Sequence, residues 1–418
     1  MIGLGERKLG HFLAIAIAAA ILGTAFSSWA ASTSETAPGA TVEELLALVR
    51  NFNPELAAAA LDHEEAVAKI IPSGALDDPT VNLSRDQGFR QTLFSISQDF
   101  PLWGKRGLRK DVAAANAQAA REREDSVGKD LEERVKVAFA QYYEAEHAIR
   151  VTQDIHTLLH SVAGTARTRY AQGVVNQSDA IRSELDQTRL EPELSALQQA
   201  EETAKAKINA LIGRRSDAAL SQPTVLRKVP AVASLTLDGL VARARDRNPM
   251  LAASRAEIAA AEGERALVDK SWYPDVTVNV GADSLPNQSP QPMVGVGIKI
   301  PFQWGVRDAQ AHAATAKKGA AQLRLDAAML EIDRELKSAL AMLHQAEQTE
   351  DLIKNTLNQQ SEAAYRSALS SYQLGRGDLT PVLDAAHQQL EIRLQLLRVE
   401  TDAQTALAAI ERLVGDDL

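Results

Sequence analysis

His156 and His160 stand four residues apart, a spacing that puts two imidazoles on one helix face, where they could share a metal ion. His156, however, falls inside an apolar heptad-like run, so a packed or solvated histidine is the plainer reading. Met250, Met293, Met329 and Met342 are scattered and form no soft-metal cluster. Asp77 and Asp78 precede Pro79, which is turn composition rather than a carboxylate pair for acid–base work. No glycine-rich phosphate loop opens a helix after a strand, and no His-Glu-x-x-His occurs. The chain has no cysteine, so disulfides, thiolate metal sites and a lipid-modified cysteine are all excluded. No catalytic residue, cofactor or resident metal is therefore expected. Lys105, Arg106, Arg109 and Lys110 do crowd one helix start, the end where the macrodipole disfavours cations. That points to an external anion such as lipid headgroups, with ordinary solvated charge as the alternative.

The elements that would position these residues are long. Of 418 residues 24% are charged and only 4% aromatic, the composition of extended helices rather than of dense globular cores. A net charge of −10 leaves no basic stripe for phosphates, which excludes nucleic acid as a partner. Arg7 and Lys8 precede an apolar run from Phe12 to Phe26, and Ser28-Trp29-Ala30 offers small residues around a cleavage site. Residues 1–30 are expected to be a secretory signal peptide, the run being short for a transmembrane anchor.

From Thr41 one pattern is written twice, at offsets of 195 to 202. Thr41 to Arg50, stopped by Asn53-Pro54, is echoed by Thr236 to Arg245, stopped by Asn248-Pro249. Helical segments Glu55 to Ile71 and Met250 to Lys270 follow, then strands opening at Pro79 and Pro274. Second strands end at Phe100-Pro101-Leu102-Trp103-Gly104 and at Ile300-Pro301-Phe302-Gln303-Trp304-Gly305. Very long helices come next, turning at Tyr170-Ala171-Gln172-Gly173 and Tyr372-Gln373-Leu374-Gly375 and returning to Leu211-Ile212-Gly213 and Leu413-Val414-Gly415. The expected units are a first repeat at 31–215, a linker at 216–234 and a second repeat at 235–418.

The helices follow seams of alternating four- and three-residue steps: Leu131, Val135, Ala138, Tyr142, Ala145, Ile149, Thr152, His156 and Leu159 in the first copy, with Ile332, Leu336, Ala339, Leu343 and Ala346 opening the second. Sustained over many turns, that repeat predicts coiled-coil packing and a rod about 100 Å long. The strands alternate differently. Phe94, Ile96 and Phe100 share one face, as do Val276, Val278 and Val280, and Val294, Val296 and Ile298, with polar residues or glycine between them. One face suits hydrocarbon and the other water. Trp103, Trp272 and Trp304 flank the strands, where a membrane-interface belt would lie. The alternative is a small soluble sandwich with tryptophans in its core. Four strands cannot close a barrel, so subunits must pool them, and twelve strands from three chains leave the wider lumen.

Duplication, element order and spacing together resemble the TolC-type outer-membrane efflux proteins over the whole of the chain from Thr41 onward. The resemblance implies a mainly α fold with a small β part. Three protomers would build a 12-stranded outer-membrane β-barrel continued by a helical tunnel. It also implies a passive exit duct, working with a periplasmic adaptor and an inner-membrane transporter, of the RND type in the branch serving heavy-metal pumps. The hand-over Phe100 to Arg106 is similar to that branch. A periplasmic coiled-coil scaffold or adaptor without a pore is the competing reading. By the same resemblance Gly173, Val174, Leu374 and Gly375 mark the adaptor-docking tip. Asp179 and Asp384 match the acidic positions of the gate, although each could simply be an acid at a helix start. Pro381 and Gly377 replace an acid and a linking arginine of the family pattern, which implies a single, weaker acidic ring.

Overall fold

A computed structural model describes residues 37–86, 91–284 and 289–418; the expected signal peptide lies outside them. The first copy comprises α1 (Val42–Phe52), α2 (Pro54–Ala68), α3 (Ile70–Ser73), β1 (Thr80–Asp86), β2 (Gln91–Phe100), α4 (Lys105–Ala171), α5 (Gln177–Thr188) and α6 (Leu190–Leu211). The second comprises α7 (Leu237–Arg247), α8 (Pro249–Lys270), β3 (Asp275–Ser284), β4 (Gln291–Lys299), α9 (Trp304–Leu352), α10 (Asn358–Gln373) and α11 (Thr380–Val414). With 67 residues, α4 is about 100 Å long. Among the described residues no helix is long and apolar enough to cross a membrane.

Two helices expected to be continuous are interrupted, for one reason. The segment Glu55 to Ile71 breaks after Ala68, and the return helix breaks after Thr188. Pro72 and Pro192 lie four residues beyond those points, where a proline offers no N–H to the carbonyl and crowds it. Their counterparts α8 and α11 carry no such proline in the interior and run unbroken.

A π-turn at Ile353–Leu357 joins α9 to α10. It takes up one extra residue. Buried positions match at an offset of 201 as far as Thr152 and Ile353, and at 202 from Leu159 and Ser361 onward. The seam of α4 also departs from expectation. Ala148, Thr152, Ile155 and Leu159 are buried, whereas Ile149 and His156 are only half-buried. Two successive three-residue steps, Tyr142 to Ala145 and Ala145 to Ala148, bring the seam forward by one residue, so that it takes Ile155 in place of His156. His156 lies beside Gln187, and no group of acidic or histidine residues able to hold a metal occurs among the described residues.

The helices form rows. Toward the strands the order is α2, α4, α8, α9; toward the turns it is α6, α4, α11, α9, so α4 is interior in both. Each copy is closed at a corner. The Asn53 side chain accepts from the N–H groups of Glu55 and Leu56, capping α2, and donates to Leu211 O at 2.7 Å. Asn248 does the same for α8, accepting from Leu251 N and donating to Leu413 O at 2.8 Å. Gly213 and Gly415, both at positive φ, then pass so close that a Cβ would meet Phe52 O at 2.6 Å and Arg247 O at 2.5 Å.

The four strands make one antiparallel sheet in chain order. Ile96 lies opposite both Val81 and Val280, and Val280 lies opposite Val294, giving an apolar row across all four strands. Leu83 and Phe94 form the next row with Ala282, and Val278 and Val296 form another. None of the described residues covers this face: Leu83 and Val294 are each 73% exposed. A soluble sandwich would pack it away, so that alternative fails. β1 and β4 leave both sheet edges open.

Candidate functional site

The strand-to-helix junction is built on local backbone strain. Trp103 adopts φ 64 and Gly104 φ 79, two successive left-handed residues that swing the chain from β2 into α4. The Trp103 indole N–H donates to Pro274 O at 2.9 Å, and its ring lies 5.2 Å from that of Tyr273. Lys105 is buried; its ammonium donates to Tyr273 O and to Asp275 Oδ1, both at 2.8 Å. Arg106 donates to Gly74 O. Lys105 is thus no surface cation awaiting a lipid headgroup, contrary to expectation. It ties the first copy's hand-over to the second copy's first strand, and that internal carboxylate offsets its unfavourable place at the helix start. Trp272 and Trp304 are exposed beside the same end of the sheet, Trp304 at 66%.

At mid-length the two copies are pinned by charge. Lys136 on α4 reaches Glu411 on α11 at 2.8 Å and Asp417 at 2.6 Å, with the Lys136 and Glu411 side chains only 4% and 3% exposed. Arg227, from the connecting segment, donates to the other Glu411 oxygen at 3.0 Å. Gln404 holds the Arg227 carbonyl. Arg412 bridges Glu133 on α4 and Glu335 on α9.

At the far end both turns close in the same way. Gly173 and Gly375 have φ of 72 and 73. Val174 N donates to Arg169 O and Gly173 N to Tyr170 O; Arg376 N donates to Ser371 O and Gly375 N to Tyr372 O. These are glycine-terminated helix ends with paired closing bonds, which require the left-handed residue. Val174 and Leu374 stand exposed at the tips.

Although the two copies' turns match in sequence, their tyrosines do not share an environment. Tyr170 is exposed while Tyr372 is 1% exposed and its hydroxyl has no hydrogen-bond partner. The Arg169 guanidinium lies over the Tyr372 ring, 4.8 Å from its centroid, and also bonds Tyr372 O. Burial pushes the Tyr372 phenol up; Arg169 opposes that and the nearby Asp179 charge adds to it. Asp179 lies in the first turn of α5, half-buried. Asp384 lies on α11, exposed, with no side-chain hydrogen bond or ion pair among the described residues. Arg182 reaches Thr380 Oγ1 at 3.1 Å, which links the two return helices. Arg169 and Arg182 carried no signal in the sequence, because neither is repeated in the second copy and each acts across copies.

The described geometry can be compared with known proteins. A family model described as outer membrane efflux protein matches residues 45–214 and 240–416. The cobalt-zinc-cadmium resistance protein CzcC of Cupriavidus metallidurans is 24% identical over 386 residues, 91% of each chain. The nickel-cobalt-cadmium resistance protein NccC of Alcaligenes xylosoxydans xylosoxydans is 28% identical over 276 residues, 62% of this chain and 58% of that protein. Among solved structures, CusC aligns with TM-score 0.79 at 17% identity, covering 94% of this chain and 96% of that one. The outer membrane protein VceC of Vibrio cholerae aligns with TM-score 0.78 at 18% identity, covering 90% and 96%.

Proposed function

The chain belongs to the outer membrane efflux protein family, and on that premise we propose that three copies of this outer-membrane channel form the exit duct of a tripartite pump for heavy-metal cations. The observation that carries the trimer is incompleteness. One chain offers an apolar sheet face with both edges unpaired, and helix rows that end openly at α2, α6 and α9. Unpaired edges are not tolerated in hydrocarbon, so the sheet must close on other copies. Twelve strands give a lumen wide enough for transit. Trp103, Trp272 and Trp304 then ring the end of the barrel nearest the helices, at the lipid interface. The heavy-metal cargo is supported by the relatives, which are resistance proteins for cobalt, zinc, cadmium and nickel. Cations are substrate here, passing through without a dedicated ligand set. An inner-membrane transporter of the RND type supplies the energy, and a periplasmic adaptor meets the tips at Gly173, Val174, Leu374 and Gly375. Single-channel conductance of the purified oligomer in a planar bilayer tests the duct; a sealed, non-conducting oligomer at all voltages would overturn it.

Two variants test the finer parts. Gly173→Trp has open space around the new side chain but places a bulky residue at positive φ on the exposed tip. It should abolish metal resistance while oligomers still reach the outer membrane; normal resistance would remove these turns from the docking face. Asp384 would occur three times around the axis, where a carboxylate ring attracts cations and repels anions. Asp384→Ala should lower cation selectivity and relieve block by divalent cations in bilayer recordings, with assembly unchanged. Unaltered selectivity and block together would reduce Asp384 to a helix-start acid. Asp179, half-buried in the first turn of α5, is the second gate acid on the same reading.

A further inference from the structure

The internal duplication makes an interface within one chain the template for an interface between chains. Within the chain α4 packs on α8, the long helix of the first copy against the second helix of the second. The corresponding pair is α9 with α2. A single chain cannot bring these together, because they stand at opposite ends of the row α2, α4, α8, α9.

The α4–α8 contact carries an ion pair between Arg123 and Glu257. α4 and α9 correspond at an offset of 201, set by Trp103 and Trp304, and α8 and α2 at 195, set by Asn248-Pro249 and Asn53-Pro54. Carried across, Arg123 becomes Arg324 and Glu257 becomes Asp62, so both charges are kept. Arg324 and Asp62 are exposed, and neither makes a hydrogen bond or ion pair among the described residues. The strands agree. With β2 and β4 corresponding at an offset of 200, set by Pro101 and Pro301, and β3 and β1 at 195, the β2–β3 pair Gln98–Val278 becomes Ile298–Leu83, which joins two exposed members of the apolar face across β4 and β1. The junction clamp is not repeated, since Val306 and Thr80 stand where Lys105 and Asp275 stand in the chain. The helix-level charge pair is therefore the polar contact the duplication retains.

We propose that Arg324 of one copy pairs with Asp62 of the next, and that this contact sets the register in which β4 meets β1 of that next copy. The occupant of the open α2 and α9 faces is a second copy of this chain. The inference rests on the trimeric reading above and deepens it by naming the contact.

The absence of cysteine makes the test clean. A double variant, Asp62→Cys with Arg324→Cys, is treated in outer membranes with a short bismaleimide and run on a denaturing gel. Covalent dimer and trimer are expected, with each single-cysteine variant remaining monomeric. The pair Arg123→Cys with Glu257→Cys should link only within the chain, which checks the reach of the reagent. In parallel, Arg324→Glu should reduce the detergent-resistant oligomer several-fold, and Asp62→Arg added to it should restore the oligomer. If native gels still show trimers but the 62–324 variant yields no covalent ladder, the proposed contact is wrong and the trimeric reading stands. If no oligomer forms at all, both fall.

Discussion

Glu411→Ala should destabilise the folded chain by roughly 3–5 kcal/mol, because it leaves a buried ammonium without its main partner. Lys136 and Glu411 are almost completely enclosed between α4 and α11, and Glu411 also accepts from Arg227 and from the Leu418 N–H. Removing the carboxylate takes Arg227's ionic partner away and leaves Lys136 with only the exposed Asp417. The loss should appear as a lower thermal midpoint in detergent by circular dichroism. The paired replacement Lys136→Met with Glu411→Leu should recover only part of it, since two apolar side chains avoid the desolvation cost of the pair while Arg227 still lacks Glu411. A single variant as stable as the parent would show that water reaches the site. The pair also has a pH signature. Burial alone would raise the Asp417 carboxyl, but its bond to Lys136 outweighs that and holds it below the ordinary range. A depressed carboxylate contributes stability that is present at neutral pH and is lost as pH falls through the folded-state value. Asp417→Asn should therefore flatten the acid limb of the stability profile.

Charge on the exposed sheet face should stop the protein from settling in the outer membrane. Val280 and Val294 oppose one another near the middle of their strands, on the face that none of the described residues covers. Arginine there costs about 2–4 kcal/mol per site at the bilayer midplane, and a trimer incurs it three times. Val280→Arg and Val294→Arg are each expected to abolish the heat-modifiable oligomer in isolated outer membranes. Asn279→Arg, one residue along β3 and on the opposite face, should insert normally. Equal tolerance of arginine at Val280 and Asn279 would overturn the assignment of the apolar face to lipid.

Much of this protein was legible in one dimension because its signals are local and written twice. Alternation in β2, β3 and β4 depends only on side chains pointing to opposite faces of a strand, so the apolar face could be read before any pairing was known. The glycines at 173 and 375 marked turns because a left-handed residue is needed to end a helix that way. The breaks after Ala68 and Thr188 were also within reach, since a proline acts on the carbonyl four residues before it. Apolar spacing alone, which continues past Pro72 and Pro192, does not report them.

What only the tertiary structure decided is which residues meet across distance. Asn53-Pro54 and Leu211-Ile212-Gly213 were both visible as repeated motifs, yet nothing local says that the Asn53 amide holds the Leu211 carbonyl. Lys105 read as a lipid-facing cation because its partner Asp275 lies 170 residues away. Lys136 and Glu411, 275 residues apart, drew no notice at all. Periodicity reports which face of an element avoids water, and that depends on near neighbours alone. The partner of a buried charge depends on which helices pack together and in what phase, and a change of phase by one residue puts Ile155 rather than His156 in the seam.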